Sequence, residues 1–162
     1  MLSAGLKTDV RCAVLAVAGR PTPWVASATD AYLKRLPRAW HTRVELLAPS
    51  KKQSADARRD DEWQRLSDKL DAGALKILLD ERGKSLGSRA LAARMGDWQG
   101  DGRTLAFLIG GPDGFSAAAR TGADLVLSLS AMTMPHELAR VVLVEQLYRA
   151  HTILEGHPYH RD

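Results

Sequence analysis

The stretch Thr104-Leu105-Ala106-Phe107-Leu108-Ile109 runs straight into Gly110-Gly111-Pro112-Asp113-Gly114. An apolar run of this length without polar alternation reads as a strand inside a parallel sheet. Three glycines in the next five residues let the backbone turn tightly or approach a ligand closely. The carboxyl end of a parallel strand is where open α/β sheets take their ligands. The spacing is neither G-x-G-x-x-G nor a P-loop, and no Lys-Ser/Thr follows, so dinucleotide and nucleoside-triphosphate sites are disfavoured. A plain glycine-rich turn would also account for the motif taken alone.

Outward from this strand the pattern alternates. Val10–Ala18, Thr42–Ala48, Leu75–Asp80 and Asp124–Leu129 read as four more strands. Between them, Thr22 is expected to cap a helix that Pro37 ends and that carries Trp24, Ala28, Tyr32 and Leu36. Further helices are expected over Ala55–Leu70, from a Ser85 cap to Trp98, over Ser116–Arg120, and over Pro135–Leu154. Strands alternating with helices predict an α/β fold with a mostly parallel sheet flanked by helices. At 162 residues the chain makes one domain, with no room for separate cofactor and substrate domains.

Cys12 is the only cysteine, which excludes a disulfide framework and favours a reducing, cytoplasmic setting. Its mid-strand place, and the absence of G-x-S-x-G, leave nucleophilic hydrolase chemistry little support. Lys7 and Arg11 before the Cys12–Ala18 run give a faint signal-peptide look, but a buried strand explains that run better. No run approaches the ~20 apolar residues of a membrane span. The net charge is +4, unevenly spread: residues 34–59 net +6 and the remainder nets −2. Such a stretch suits a phosphate backbone, or is a solvated helix face and loop.

Three more segments carry chemistry. Leu127-Ser128-Leu129-Ser130-Ala131-Met132-Thr133-Met134-Pro135-His136 joins the fifth strand to the long helix and mixes hydroxyls with apolar side chains, as a pocket for an aromatic base would. Thr133 is expected to cap the helix, with Pro135 in its first turn. The tail, Gly156-His157-Pro158-Tyr159-His160-Arg161, gathers groups that stack on bases and grip phosphate. A metal site at His151, His157 and His160 has no cysteine or acid cluster to complete it, and none is expected. On the long helix, Glu145 with Arg149 and His136 with Arg140 stand at i,i+4 spacing, the latter pair on a face expected to adjoin the tail. Apolar residues surround most of that helix, which predicts burial on two sides, against the sheet and a second copy in a two-fold homodimer, the alternative being a fully internal helix.

These motifs in order, Ile-Gly-Gly-Pro-Asp-Gly (109–114), Ser-Leu-Ser-Ala-Met-Thr-Met-Pro-His-Glu-Leu-Ala-Arg (128–140), Glu-Gln-Leu-Tyr-Arg-Ala (145–150) and Gly-His-Pro-Tyr-His-Arg (156–161), resemble the RlmH family. These are SPOUT-class methyltransferases of bacterial 23S rRNA. The resemblance runs from about Val10 to the end of the chain, strongest from Leu105 to Arg161. It implies a single SPOUT domain over residues 1–162, with residues 1–9 as an extension and 155–162 as a functional tail. It also implies a deep trefoil knot near the C-terminus and S-adenosylmethionine as cofactor. The implied cofactor contacts are Leu79, Gly110, Gly111, Leu129, Ser130, Ala131, Met132, Thr133 and Met134. The implied reaction is methyl transfer to N3 of a pseudouridine in helix 69. Tyr159, His160 and Arg161 would be its actors, supported by Glu145, Arg149 and His136, in a homodimer that pairs one chain's cofactor with the other's tail. A SPOUT enzyme with another RNA target, and a non-enzymatic RNA-binding assembly factor, are the competing readings.

Overall fold

The computed structural model describes residues 11–160. The extension Met1–Asp9, residue Val10 and the tail residue Arg161 lie outside the described residues.

Five strands form one parallel sheet in the order β2-β1-β4-β3-β5: β1 (Cys12–Val17), β2 (Arg43–Leu47), β3 (Leu75–Ser85), β4 (Leu105–Ile109) and β5 (Leu125–Ser128). Every residue of β1 and β4 is buried, because helices cover both faces. On one face, Val14, Ile77 and Phe107 pack beneath α1 (Pro23–Leu33), α3 (Ser88–Gly100) and α5 (His136–Glu155). On the other, Leu15, Leu78 and Leu108 meet α2 (Ala55–Asp68) and α4 (Ala117–Gly122) through Leu66 and Ala119. A single turn of 3-10 helix, Arg38–Trp40, plugs Trp40 into the first core. The Cys12 thiol lies inside this sheet, and burial pushes it up to about 12, so it is inert.

Several boundaries differ from the sequence reading. The third strand does not stop at Asp80. After pairing Leu79 with Leu127, the chain detours and pairs Lys84 with Leu127 and Ser85 with Ser128. Ladder bonds belong to the backbone, so a strand can continue where its apolar run ends. Residue 83 passes so close to β5 that a Cβ there would sit 2.6 Å from the carbonyl carbon of Val126 and 2.7 Å from Leu127 backbone atoms. Only glycine permits that crossing.

Helix α3 consequently begins after Gly87, and Ser85 remains in the strand rather than capping a helix. Helix α1 ends at Leu33, short of Pro37. Thr22 is its N-terminal flanking residue but makes no side-chain cap; its hydroxyl donates to Glu137 Oε2 at 2.9 Å instead and ties α1 to α5. Thr133 does not cap α5 either, since Pro135 holds that position and the Thr133 hydroxyl donates to Glu81 Oε2 at 3.1 Å.

Candidate active site

Parallel strands put all their carboxyl ends on one edge, and there the ends of β3, β4 and β5 open into a cleft of about 630 Å³. Seven of the residues expected there line it: Leu79, Gly110, Leu129, Ser130, Met132, Thr133 and Met134. Gly111 and Ala131 do not. Gly111 faces the opposite side of the turn, where a Cβ would lie 2.9 Å from Glu62 Oε2 and 3.0 Å from Val17. Ala131 is exposed beside the cleft.

The glycine turn is braced from behind by α2. Arg58 Nε donates to Asp113 Oδ2 at 2.7 Å, and its guanidinium also holds the carbonyls of Lys52 and Gln53. Arg59 reaches the Asp113 carbonyl and pairs with Asp56. The Arg58 guanidinium holds the Asp113 carboxyl below the usual aspartate range. Gly114 N–H donates to the Gly111 carbonyl at 2.9 Å and closes the turn. Several cations of the basic stretch are engaged at the surface: Lys34 pairs with Asp30, Arg43 with Glu45, and Arg35 lies over the Tyr32 and Tyr148 rings. Lys51 and Lys52 remain exposed, and the Lys52 charge acts on the Asp61 carboxyl.

The segment after β5 is shaped by its own hydroxyls. Ser128 Oγ donates to the Ser130 carbonyl, Ser130 Oγ accepts from Met132 N–H, both at 2.9 Å, and Met132 is left 79% exposed on the rim. Sequence reasoning missed the cleft wall formed by Asp80, Glu81 and Arg82, because it ended β3 too soon. It also missed Arg120, which donates to the Phe115 carbonyl at 2.8 Å and pairs with Asp80 at 3.6 Å. No local signal marks Arg120, since its partner lies forty residues away in sequence.

A second cluster forms at the other end of α5. Tyr159 O–H donates to Glu145 Oε1 at 2.9 Å, and Arg149 pairs with the same oxygen at 2.7 Å. The Tyr159 ring meets Tyr148 at 4.6 Å, and the Arg149 guanidinium lies 5.0 Å from its centre. Burial, then hydrogen bonds to Tyr32 and Glu145, hold the phenol well above the usual tyrosine range, so it stays protonated. The tail is seated by Gly156 in the left-handed region and by His157 N–H donating to the Thr152 carbonyl.

His136 belongs to the cleft and not to the tail, correcting the expected shared face; Arg140, 2% exposed, is buried in the same helix end. His136 and Arg149 are thirteen helical steps apart, roughly 20 Å. Among the histidines, His151 packs edge-on against Trp40 at 5.5 Å, with its pKa lowered by burial. His157 Nδ1 accepts from Tyr159 N–H, and His160 Nδ1 is buried without a hydrogen-bond partner among the described residues. Among the described residues no three His, Cys, Asp or Glu side chains are placed to hold a metal ion, and no helix is long and apolar enough to cross a membrane.

The family model described as predicted SPOUT methyltransferase matches residues 10–160. A protein of Brucella anthropi named ribosomal RNA large subunit methyltransferase H is 56% identical over 119 residues, 73% of this chain and 74% of that protein. A protein of the same name from Methylibium petroleiphilum is 44% identical over 158 residues, 94% of this chain and all of that one. Among solved structures, the SpoU methyltransferase AviRb of Streptomyces viridochromogenes, in complex with AdoMet, aligns with 88% of this chain and 58% of its own. That alignment has 15% identity and a TM-score of 0.43.

Proposed function

The chain belongs to the SPOUT methyltransferase family, and on that premise we propose that it methylates large-subunit ribosomal RNA, using S-adenosylmethionine to modify N3 of a pseudouridine in helix 69 of 23S rRNA. The carrying observation is the cleft at the ends of β3, β4 and β5, which gathers seven of the nine residues matched to the family's cofactor motif. Its donor set fits the group. Leu79, Ile109 and Leu129 give an apolar wall for a base, while Gly110 and the Ser128–Met134 segment bring backbone close. When bound, S-adenosylmethionine supplies a methyl carbon made electrophilic by its sulfonium.

The chain's own tasks are positioning and the handling of one proton, since N3–H must lose its proton as the new bond forms. Tyr159, held as a phenol, donates and orients, and does not accept that proton. Glu145 and Arg149 are positioning residues that lock Tyr159. His136 stands at the cleft, and contact with base or phosphate is assigned to His160 and, by the sequence motif alone, to Arg161.

Along α5 the cleft residues His136 and Ala139 and the tail-cluster residues Glu145 and Arg149 are separated by roughly 10–20 Å in one chain. A complete site therefore takes its cleft from one copy and its tail from another, in a cytoplasmic homodimer. Apolar Trp24 (54% exposed), Leu138 and Leu154 on α1 and α5 support that contact. The trefoil knot belongs to the same reading, and the close crossing of residue 83 over β5 supports it.

The test is incubation with labelled S-adenosylmethionine and whole ribosomes, subunits or naked RNA from cells lacking the modification. Label at the helix 69 pseudouridine is expected. Mass-spectrometric mapping to another nucleotide would indicate a different RNA target, and calorimetry without cofactor binding would favour an assembly factor.

A further inference from the structure

Glu62 is a carboxylic acid only 3% exposed on the sheet-facing side of α2. Its Oε1 accepts from Ser50 N–H at 3.3 Å, while Oε2 is buried with no hydrogen-bond partner among the described residues. A residue that merely filled space here would be apolar, since an unpaired buried carboxyl is costly. Both oxygens face Gly111: a Cβ at that position would lie 2.9 Å from Oε2 and 3.3 Å from Oε1. Gly110, the preceding residue, lines the cleft on the front of the same turn. One helical turn earlier, Arg58 grips Asp113 at the far side of the turn. The turn is thus clamped at two points by one helix.

We infer that Glu62 is a positioning residue for cofactor binding: wedged between the Ser50 amide and Gly111, its carboxyl sets how far the Gly110–Gly114 turn stands into the cleft. This rests on the reading that S-adenosylmethionine lies against Gly110. The charges around Glu62 give the inference a pH signature. Burial raises its pKa; Asp113 on the turn and Asp61 on its own helix push the same way. The Ser50 N–H and Arg65 oppose them, and Arg58 also feels the Glu62 charge. Ionisation places a second negative charge behind the turn beside Asp113 and loosens its seat.

Calorimetric titration of the full chain with S-adenosylmethionine, at a series of pH values, tests this in wild type, Glu62→Gln and Glu62→Ala. Glu62→Ala is expected to weaken binding about tenfold. Glu62→Gln, neutral and the same size, is expected to match wild type at acid pH and to keep its affinity as pH rises while wild type loses it. Undiminished affinity in Glu62→Ala, or parallel pH profiles for wild type and Glu62→Gln, overturns the inference. Hydrogen exchange at the Gly114 amide reads the turn without any ligand. Faster exchange in Glu62→Ala supports the role and unchanged exchange overturns it, even were wild type not to bind S-adenosylmethionine, a result that would itself remove the methyltransferase reading.

Discussion

Asp113 and Glu62 flank the same turn and respond to pH in opposite senses. Asp113 is held below the usual range by Arg58, so its contribution is present above the unfolded aspartate value and fades as pH falls through the folded one. Glu62 is raised, so its contribution is present at low pH and fades as pH climbs through the folded value. Urea midpoints followed against pH are expected to decline at both extremes; Asp113→Asn should remove part of the acid-side decline and Glu62→Gln part of the decline as pH rises. Tyr159→Phe removes the hydroxyl that bonds Glu145 and Tyr32 and keeps the ring. A bond to a charged group is worth ~1.5–3 kcal/mol, so methylation is expected to fall about tenfold or more with S-adenosylmethionine affinity unchanged. An undiminished rate in a ribosome assay would remove Tyr159 from the mechanism. At this scale the sequence was legible where a motif is contiguous, as in Leu129 to Met134. It was not legible at Glu62, one of several acids in a charged helix. Only the folding of that helix onto the glycine turn selects which acid is buried.

Among the elements, the apolar strands could be read directly, because burial on both faces leaves runs such as Cys12–Val17 and Leu105–Ile109 without polar interruption. The second half of β3 could not. Its residues Asp80 to Ser85 are largely polar, and they are strand because β5 offers them a backbone edge. That detour supplies one wall of the cleft, so the error in reading β3 became an error in reading the site. Gly83→Ala would drive a Cβ into Val126 and Leu127 backbone, which has no flexible end to move aside. A loss of about 3 kcal/mol in chemical denaturation is expected, with cofactor binding weakened in parallel. Stability equal to wild type would mean that the crossing relaxes without cost.

For the whole molecule, the sequence implied a second copy from the apolar girth of α5. The fold accounts for part of that girth within one chain, since α5 packs against both α1 and α3 and buries Leu143, Val144 and Leu147. What remains uncovered, with Leu138 and Trp24 exposed, is the surface on which the proposed dimer depends. Leu138→Asp is expected to shift sedimentation toward monomer and to abolish methylation. Mixing equal amounts of a chain impaired in the cleft with one impaired at Tyr159 should restore about a quarter of wild-type activity, because random pairing leaves one intact composite site in half of the dimers. No recovery would place cleft and tail chemistry within one chain.

The pairing of β3 with both β4 and β5 also has a consequence for the order of synthesis. β5 is the last strand made, yet it must seat beside β3, which emerges from the ribosome long before it. Until Leu125 to Ser128 arrive, β3 is an open edge able to pair with another chain. The site segment and the tail are translated later still. On the proposed reading, a nascent copy whose cleft segment and tail have yet to emerge has no complete site to turn on the ribosome making it.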